Sequence, residues 1–251
     1  MENNYFCIKP VINVLLEPKK SSKVSSQLIY GEKFQIISRS KNYIKVKNFY
    51  DRYIGYIKFN NFRSNYKPTH KVVCLKSRIY LQKKGKTKPS NTFLPFLSEI
   101  EILKAKKNLI MFENNKWIKR KEVLPIDRKM NDFSRIFKLF LNCPYRWGGK
   151  SYMGIDCSAL IQMYYKFNRK FFPRDTIDQI KIKKGYKIKK SYSKGDIIFW
   201  NGHVAVCLNN RMLIHAYGPR KKVLIMPIKN TINIIPVSYT HLEPTRRTDI
   251  S

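Results

Sequence analysis

The stretch "GIDCSALIQMYYKF", residues 154–167, sets a cysteine between an acid and a serine at the head of an apolar run. Leu160, Met163, Tyr164 and Phe167 recur at helical spacing, which predicts an amphipathic helix. Cys157 then stands at the helix N-terminus, just after a glycine-containing turn. Exposed N–H groups and the positive end of the helix dipole favour a thiolate there. Cys7 and Cys74 begin strands, and Cys143 sits at a helix end, where the dipole works against a thiolate. Cys157 is therefore the candidate nucleophile, with a small buried side chain as the plainer reading.

A cysteine nucleophile needs a base. His203 opens the run "HVAVCL", and His215 lies twelve residues later in "MLIHAY". Antiparallel pairing across the "NNR" turn brings the two histidines together, so that one acts as base while the other orients it. Zinc is the competing use of the same side chains. No zinc-finger spacing and no H-E-x-x-H occurs, so neither metal nor organic cofactor is expected.

The surrounding elements give the fold class. "NDFSRIFKLFLNC" carries Phe133, Ile136, Phe137 and Phe140 at helical spacing, and Pro144 closes it. "PRDTIDQIK" reads as a short helix. "DIIFW", "HVAVCL", "MLIHAY" and "VLIMPI" read as strands, so residues 127–236 form an α+β domain. Upstream, "EKFQIIS", "YIKVKN" and "YIGYIKF" are short strands separated by polar turns. "YGEKFQII" and "GYIKFNNF" resemble a bacterial SH3-like barrel over 1–66. "SEIEILKAKKNLIMFENNKWIKRKEVLPI" echoes that strand order, giving a second, degenerate barrel over 67–126.

Lysine and arginine number 51 against 16 acids, a net charge of +35. A polyanion partner is one reading. The lysines are scattered along the chain beside abundant Ile, Asn, Phe and Tyr, which favours compositional drift and no specific nucleic acid. The five cysteines include no C-x-x-C pair, which favours a reducing compartment. No signal peptide and no membrane span is read, so the expected location is cytoplasmic. The stretch 237–251 changes texture, and "VSYTHLEPTR" resembles a translated transposase sequencing adapter. It is set aside as no domain, together with His241, and the natural C-terminus is expected to be missing.

"YRWGGKSYMGIDCSALIQ", "FPRDTIDQ", "KGDIIFW" and "GHVAVCLNNRMLIHA" together resemble the successive motifs of the NlpC family, bacterial cell-wall cysteine peptidases with a papain-like fold. Behind two SH3-like barrels, the domain is similar to that family's γ-D-glutamyl-L-diamino acid endopeptidases. The resemblance implies Cys157 as nucleophile, His203 as base and His215 as the orienting residue. It places Tyr145 beside the oxyanion and gives Asp156 and Ser158 the free amine of an N-terminal L-alanine. Helix capping is the competing role for both. Trp147, Gly148 and Gly149 read as a tight turn with a packing wall, and Arg174 as a partner for an acid such as Asp175. The implied partner is a muropeptide of the L-Ala-γ-D-Glu-diaminopimelate type, met in wall recycling. The alternatives are a secreted hydrolase of the same chemistry, an acyl transferase, and a non-catalytic barrel protein that binds peptides or polyanions. The oligomeric state is not legible.

Overall fold

The computed structural model describes residues 4–58, 62–182 and 191–235, and the backbone of 245–247. His241, the rest of the tail and the ends of two stretches read above as strand and turn lie outside the described residues. Two compact units divide the chain: Met1–Arg128 with Lys150–Tyr152, and Lys129–Gly149 with Met153–Ser251.

The first unit is built from strands. Those between Asn4 and Lys58 make one six-stranded antiparallel sheet. Tyr43–Asn48 shows why: Ile44 and Val46 point inward while Tyr43, Lys45 and Lys47 alternate with them. Register shifts at Val14/Leu15 and Ile36/Ser38 help the sheet coil on itself. Its core gathers Cys7, Leu28, Phe34, Ile44, Val46 and Ile57.

A meander of Lys33–Arg39, Tyr43–Asn48 and Ile54–Lys58 recurs downstream. There it runs through Lys104–Lys106, Leu109–Glu113 and Lys116–Lys119. The second core contains Ile79, Leu94, Ile110, Phe112 and Ile118, and also takes Tyr30 and Tyr66 from upstream. Gly31 enters this region at φ +82, where a Cβ would fall 2.0 Å from the Glu99 carbonyl oxygen. Lys150 is buried in this unit, its Nζ 3.0 Å from Glu32 Oε1, the counterion that a buried ammonium requires.

The second unit joins helices to an antiparallel sheet. Asp132 caps the helix Phe133–Leu139, which buries Phe133, Ile136 and Phe137. The helix Cys157–Phe167 is buried along all eleven residues. A short helix spans Thr176–Gln179. The sheet runs through Ile197–Trp200, His203–Cys207, Met212–Tyr217 and Lys222–Pro227, each antiparallel to the next. Beyond its first edge, Thr245–Arg247 pairs with Ile197–Phe199, so three residues of the tail contribute backbone to this sheet. The α+β fold with strand-rich modules ahead of it is as read from the sequence.

Candidate active site

The sharp turn before Cys157 depends on glycine. Gly148 has φ +73 and Gly154 φ +146. A Cβ on Gly149 would lie 2.3 Å from the Gly154 carbonyl oxygen. Asp156 is the helix N-cap, and its Oδ1 accepts from Ala159 N at 2.8 Å. The first intrahelical bond runs from Leu160 N to Asp156 O, so the Cys157 N–H is not used by the helix.

The Cys157 thiol is buried against the backbone around His203. Its Sγ lies 4.0 Å from the Gly202 carbonyl oxygen. Burial pushes the thiol up to about 11, and the Asp156 carboxylate adds to this. The Val204 N–H, the Thr176 hydroxyl and the Ser158 N–H pull the other way without offsetting burial. The expectation of a thiolate favoured by the helix end is thereby corrected, because desolvation beside a carboxylate outweighs it. Burial also pushes Cys143 up to about 11 and Cys207 to about 12.

The strand pairing brings the histidines together. Val206 faces Ile214 and Cys207 faces Leu213, a register that makes His203 and His215 diagonal neighbours on one face. Asn209 sets the turn, its Oδ1 accepting from Arg211 N and Met212 N at 2.8 Å each. His203 Nε2 lies 2.9 Å from His215 Nδ1. Tyr217 stacks on the His215 ring at 4.8 Å between centroids and 9° between planes. Burial lowers His203 to about 3, with His215 adding to the shift, and lowers His215 to about 4. The resting site therefore holds a neutral thiol and two neutral imidazoles. The His203 Nε2 is engaged by His215, which leaves Nδ1 as the other ring nitrogen.

Asp156 and Ser158 lie in one buried network with Arg174. Asp156 Oδ1 accepts from Ala159 N, from Ser158 Oγ at 3.1 Å and from Arg174 Nη1 at 3.0 Å. Its Oδ2 accepts from Gly148 N at 2.9 Å and from Arg174 Nη2 at 2.6 Å. Five donors saturate the carboxylate, and Ser158 Oγ also accepts from Arg174 Nη1 at 3.0 Å. These contacts give the pair its capping role and a counterion in Arg174, beside which the substrate-amine role implied above stands as a proposal. Arg174, read as a helix start or as a partner for an acid such as Asp175, pairs with the acid Asp156.

Tyr145 sits where the charges of Cys157, Asp156 and Arg174 all reach its phenol. Burial raises that phenol, which keeps its proton available for donation. Trp147, read as a packing wall, is 65% exposed and presents its indole to solvent. Arg174 was read only as an acid's partner with no place in the chemistry, and Thr176 was passed over. A lone arginine in "FFPRDTI" was the available signal for the first, since a cation in an apolar run needs a buried partner. Thr176 gives no such signal. Among the described residues, no group of three His, Cys, Asp or Glu side chains is placed to hold a metal ion.

Residues 142–234 match the NlpC/P60 family, and residues 14–60 match the bacterial dipeptidyl-peptidase Sh3 domain. The chain is 42% identical to Dipeptidyl-peptidase 6 of Lysinibacillus sphaericus over 31% of this chain, a stretch that spans only 28% of that relative. It is 24% identical to the gamma-D-glutamyl-L-lysine dipeptidyl-peptidase of Bacillus subtilis over 83% of this chain and 77% of that one. The crystal structure of an NlpC/P60 family protein from Bacillus cereus shares the fold, with a TM-score of 0.80 at 17% identity. That match covers 99% of this chain and 100% of the other. The chain thus carries an NlpC/P60 domain behind a bacterial SH3 domain.

Proposed function

We propose that the chain is a cysteine peptidase that hydrolyses the γ-D-glutamyl–diamino acid bond of peptidoglycan stem peptides. The observation that carries this reading is the buried Cys157 thiol against the strand of His203, with His215 2.9 Å behind it, inside an NlpC/P60 domain. The relative named for γ-D-glutamyl-L-lysine supports the bond type.

In the reaction, the Cys157 proton passes to His203 Nδ1 as Sγ attacks the γ-carbonyl carbon. The neutral pair makes this transfer part of the attack, because neither the free thiolate nor the imidazolium is stable in the buried site. The oxyanion is met by the unused Cys157 N–H and by the protonated Tyr145 phenol. His203 then returns its proton to the departing α-amine of the diamino acid, and water hydrolyses the acyl-enzyme. The Asp156–Arg174 pair holds the turn and the helix start in place. The Asp156 carboxylate and the Ser158 hydroxyl, beside Arg174, are the groups read as meeting the L-alanine amine. Five free cysteines support a reducing compartment, and with it a role on free peptides from wall recycling.

Wild type and Cys157→Ala are incubated with the free L-Ala-γ-D-Glu-diamino acid peptide, with lysine or diaminopimelate, and with intact sacculi. Products are read by mass spectrometry. Release of the diamino acid by wild type alone is the expected result. Cleavage of sacculi without cleavage of the free peptide overturns the recycling role, and turnover of neither overturns the peptidase reading.

A further inference from the structure

The His215 ring is wholly enclosed, at 0% exposure. Its two nitrogens have one partner each: Nδ1 faces His203 Nε2 at 2.9 Å, and Nε2 faces the Met226 sulfur at 3.3 Å. The strand register sets this up. Leu213 opposes Met226 and His215 opposes Leu224, so Met226 reaches His215 diagonally across one face.

A neutral imidazole has one N–H and one bare nitrogen, and a thioether sulfur accepts but has no hydrogen to give. Only the tautomer with hydrogen on Nε2 lets His215 bond to Met226. Its Nδ1 is then bare and must accept, and the proton at that contact belongs to His203 Nε2. The His203 Nδ1 is bare in turn, which is the state that can take a proton from a thiol. The opposite arrangement sets a bare nitrogen against sulfur lone pairs in a closed site. It also puts hydrogen on His203 Nδ1, where a base is needed.

We propose that Met226 is a positioning residue: its thioether fixes the tautomers of His215 and His203 and so leaves His203 Nδ1 basic toward Cys157. This rests on the cysteine peptidase reading above. The tautomers themselves are measurable without any substrate, which separates the two.

The experiment is long-range proton–nitrogen NMR of the full chain labelled with 15N-histidine, on wild type, Met226→Leu and Met226→Gln, paired with kcat and KM on the free peptide. In wild type both His203 and His215 should carry hydrogen on Nε2. Met226→Leu keeps the bulk and loses the acceptor. It should populate the Nδ1–H form of His215 and lower kcat about fivefold, the weight of one modest hydrogen bond, with KM unchanged. Met226→Gln restores an acceptor and should recover both the tautomer and kcat. Hydrogen on His215 Nδ1 in wild type overturns the proposal whatever the variants do. So does a Leu variant with wild-type tautomers, whether active or inactive. Wild-type tautomers as expected in a protein that cleaves no peptide would fault the peptidase reading and leave the proton chain standing.

Discussion

Replacing Arg174 by leucine tests the most charged contact of the site. Arg174 is 2% exposed and Asp156 6%, and the two share a bidentate bridge at 3.0 and 2.6 Å. Removing the guanidinium leaves a carboxylate buried beside a thiol that its charge already disfavours as an anion. Breaking one half of a buried pair costs about 3–5 kcal/mol. A domain typically has about 5–15 kcal/mol in total, so this is a large fraction of the unit's stability. The double variant Arg174→Gln with Asp156→Asn removes both charges. It keeps an amide oxygen as helix cap for Ala159, so most of the loss should return. Hydrogen exchange of peptides covering 157–167, measured by mass spectrometry across a urea series, reads the helix and not the whole chain. A single variant within about 1 kcal/mol of wild type would refute the reasoning. A double variant no better than the single one would do the same.

Alkylation of Cys157 by iodoacetamide should keep rising with pH beyond pH 9, because the thiol titrates near 11; a plateau below pH 8 in peptide-resolved mass spectrometry would contradict this. His203 and His215 fall to about 3 and 4 in the fold from an ordinary 6.5, so the unfolded chain binds more protons between those values. Stability should therefore be fully present above pH 6.5 and decline as pH falls toward 4. His203→Gln should flatten that slope in urea titrations. Gly149→Ala should destabilise the second unit by about 1–3 kcal/mol, because its methyl meets a backbone oxygen that has no rotamer to retreat into. The readout is the same exchange measurement.

The elements that local patterns control were legible in the sequence. The helix opened by Cys157 follows from apolar spacing after glycines. The meeting of His203 and His215 follows from two adjacent strands joined by a short polar turn. What long-range packing decides was not legible. Arg174 reaches Asp156 across eighteen residues, and nothing local distinguishes that partner from the adjacent Asp175. The thiol's proton affinity depends on how deeply the helix start is buried, which no dipole argument supplies. Trp147 projects into solvent where composition alone placed it in a wall. In the first unit the strands of each module are readable, but the use of Tyr30 and Tyr66 in the downstream core is not.

The helix that Cys157 opens is buried along its length, with no residue more than 9% exposed. Such an element has no surface on which to drift. A change anywhere along it alters a packed neighbour, so the mount of Cys157 is closed to gradual tuning. Variation in what the site accepts is left to its margins: the exposed indole of Trp147 and the short helix from Thr176. The division separates an inheritable machine from its interchangeable fittings. Libraries aimed at new peptide preferences belong at those margins, and bulky or polar substitutions in 160–167 should mostly destabilise the unit.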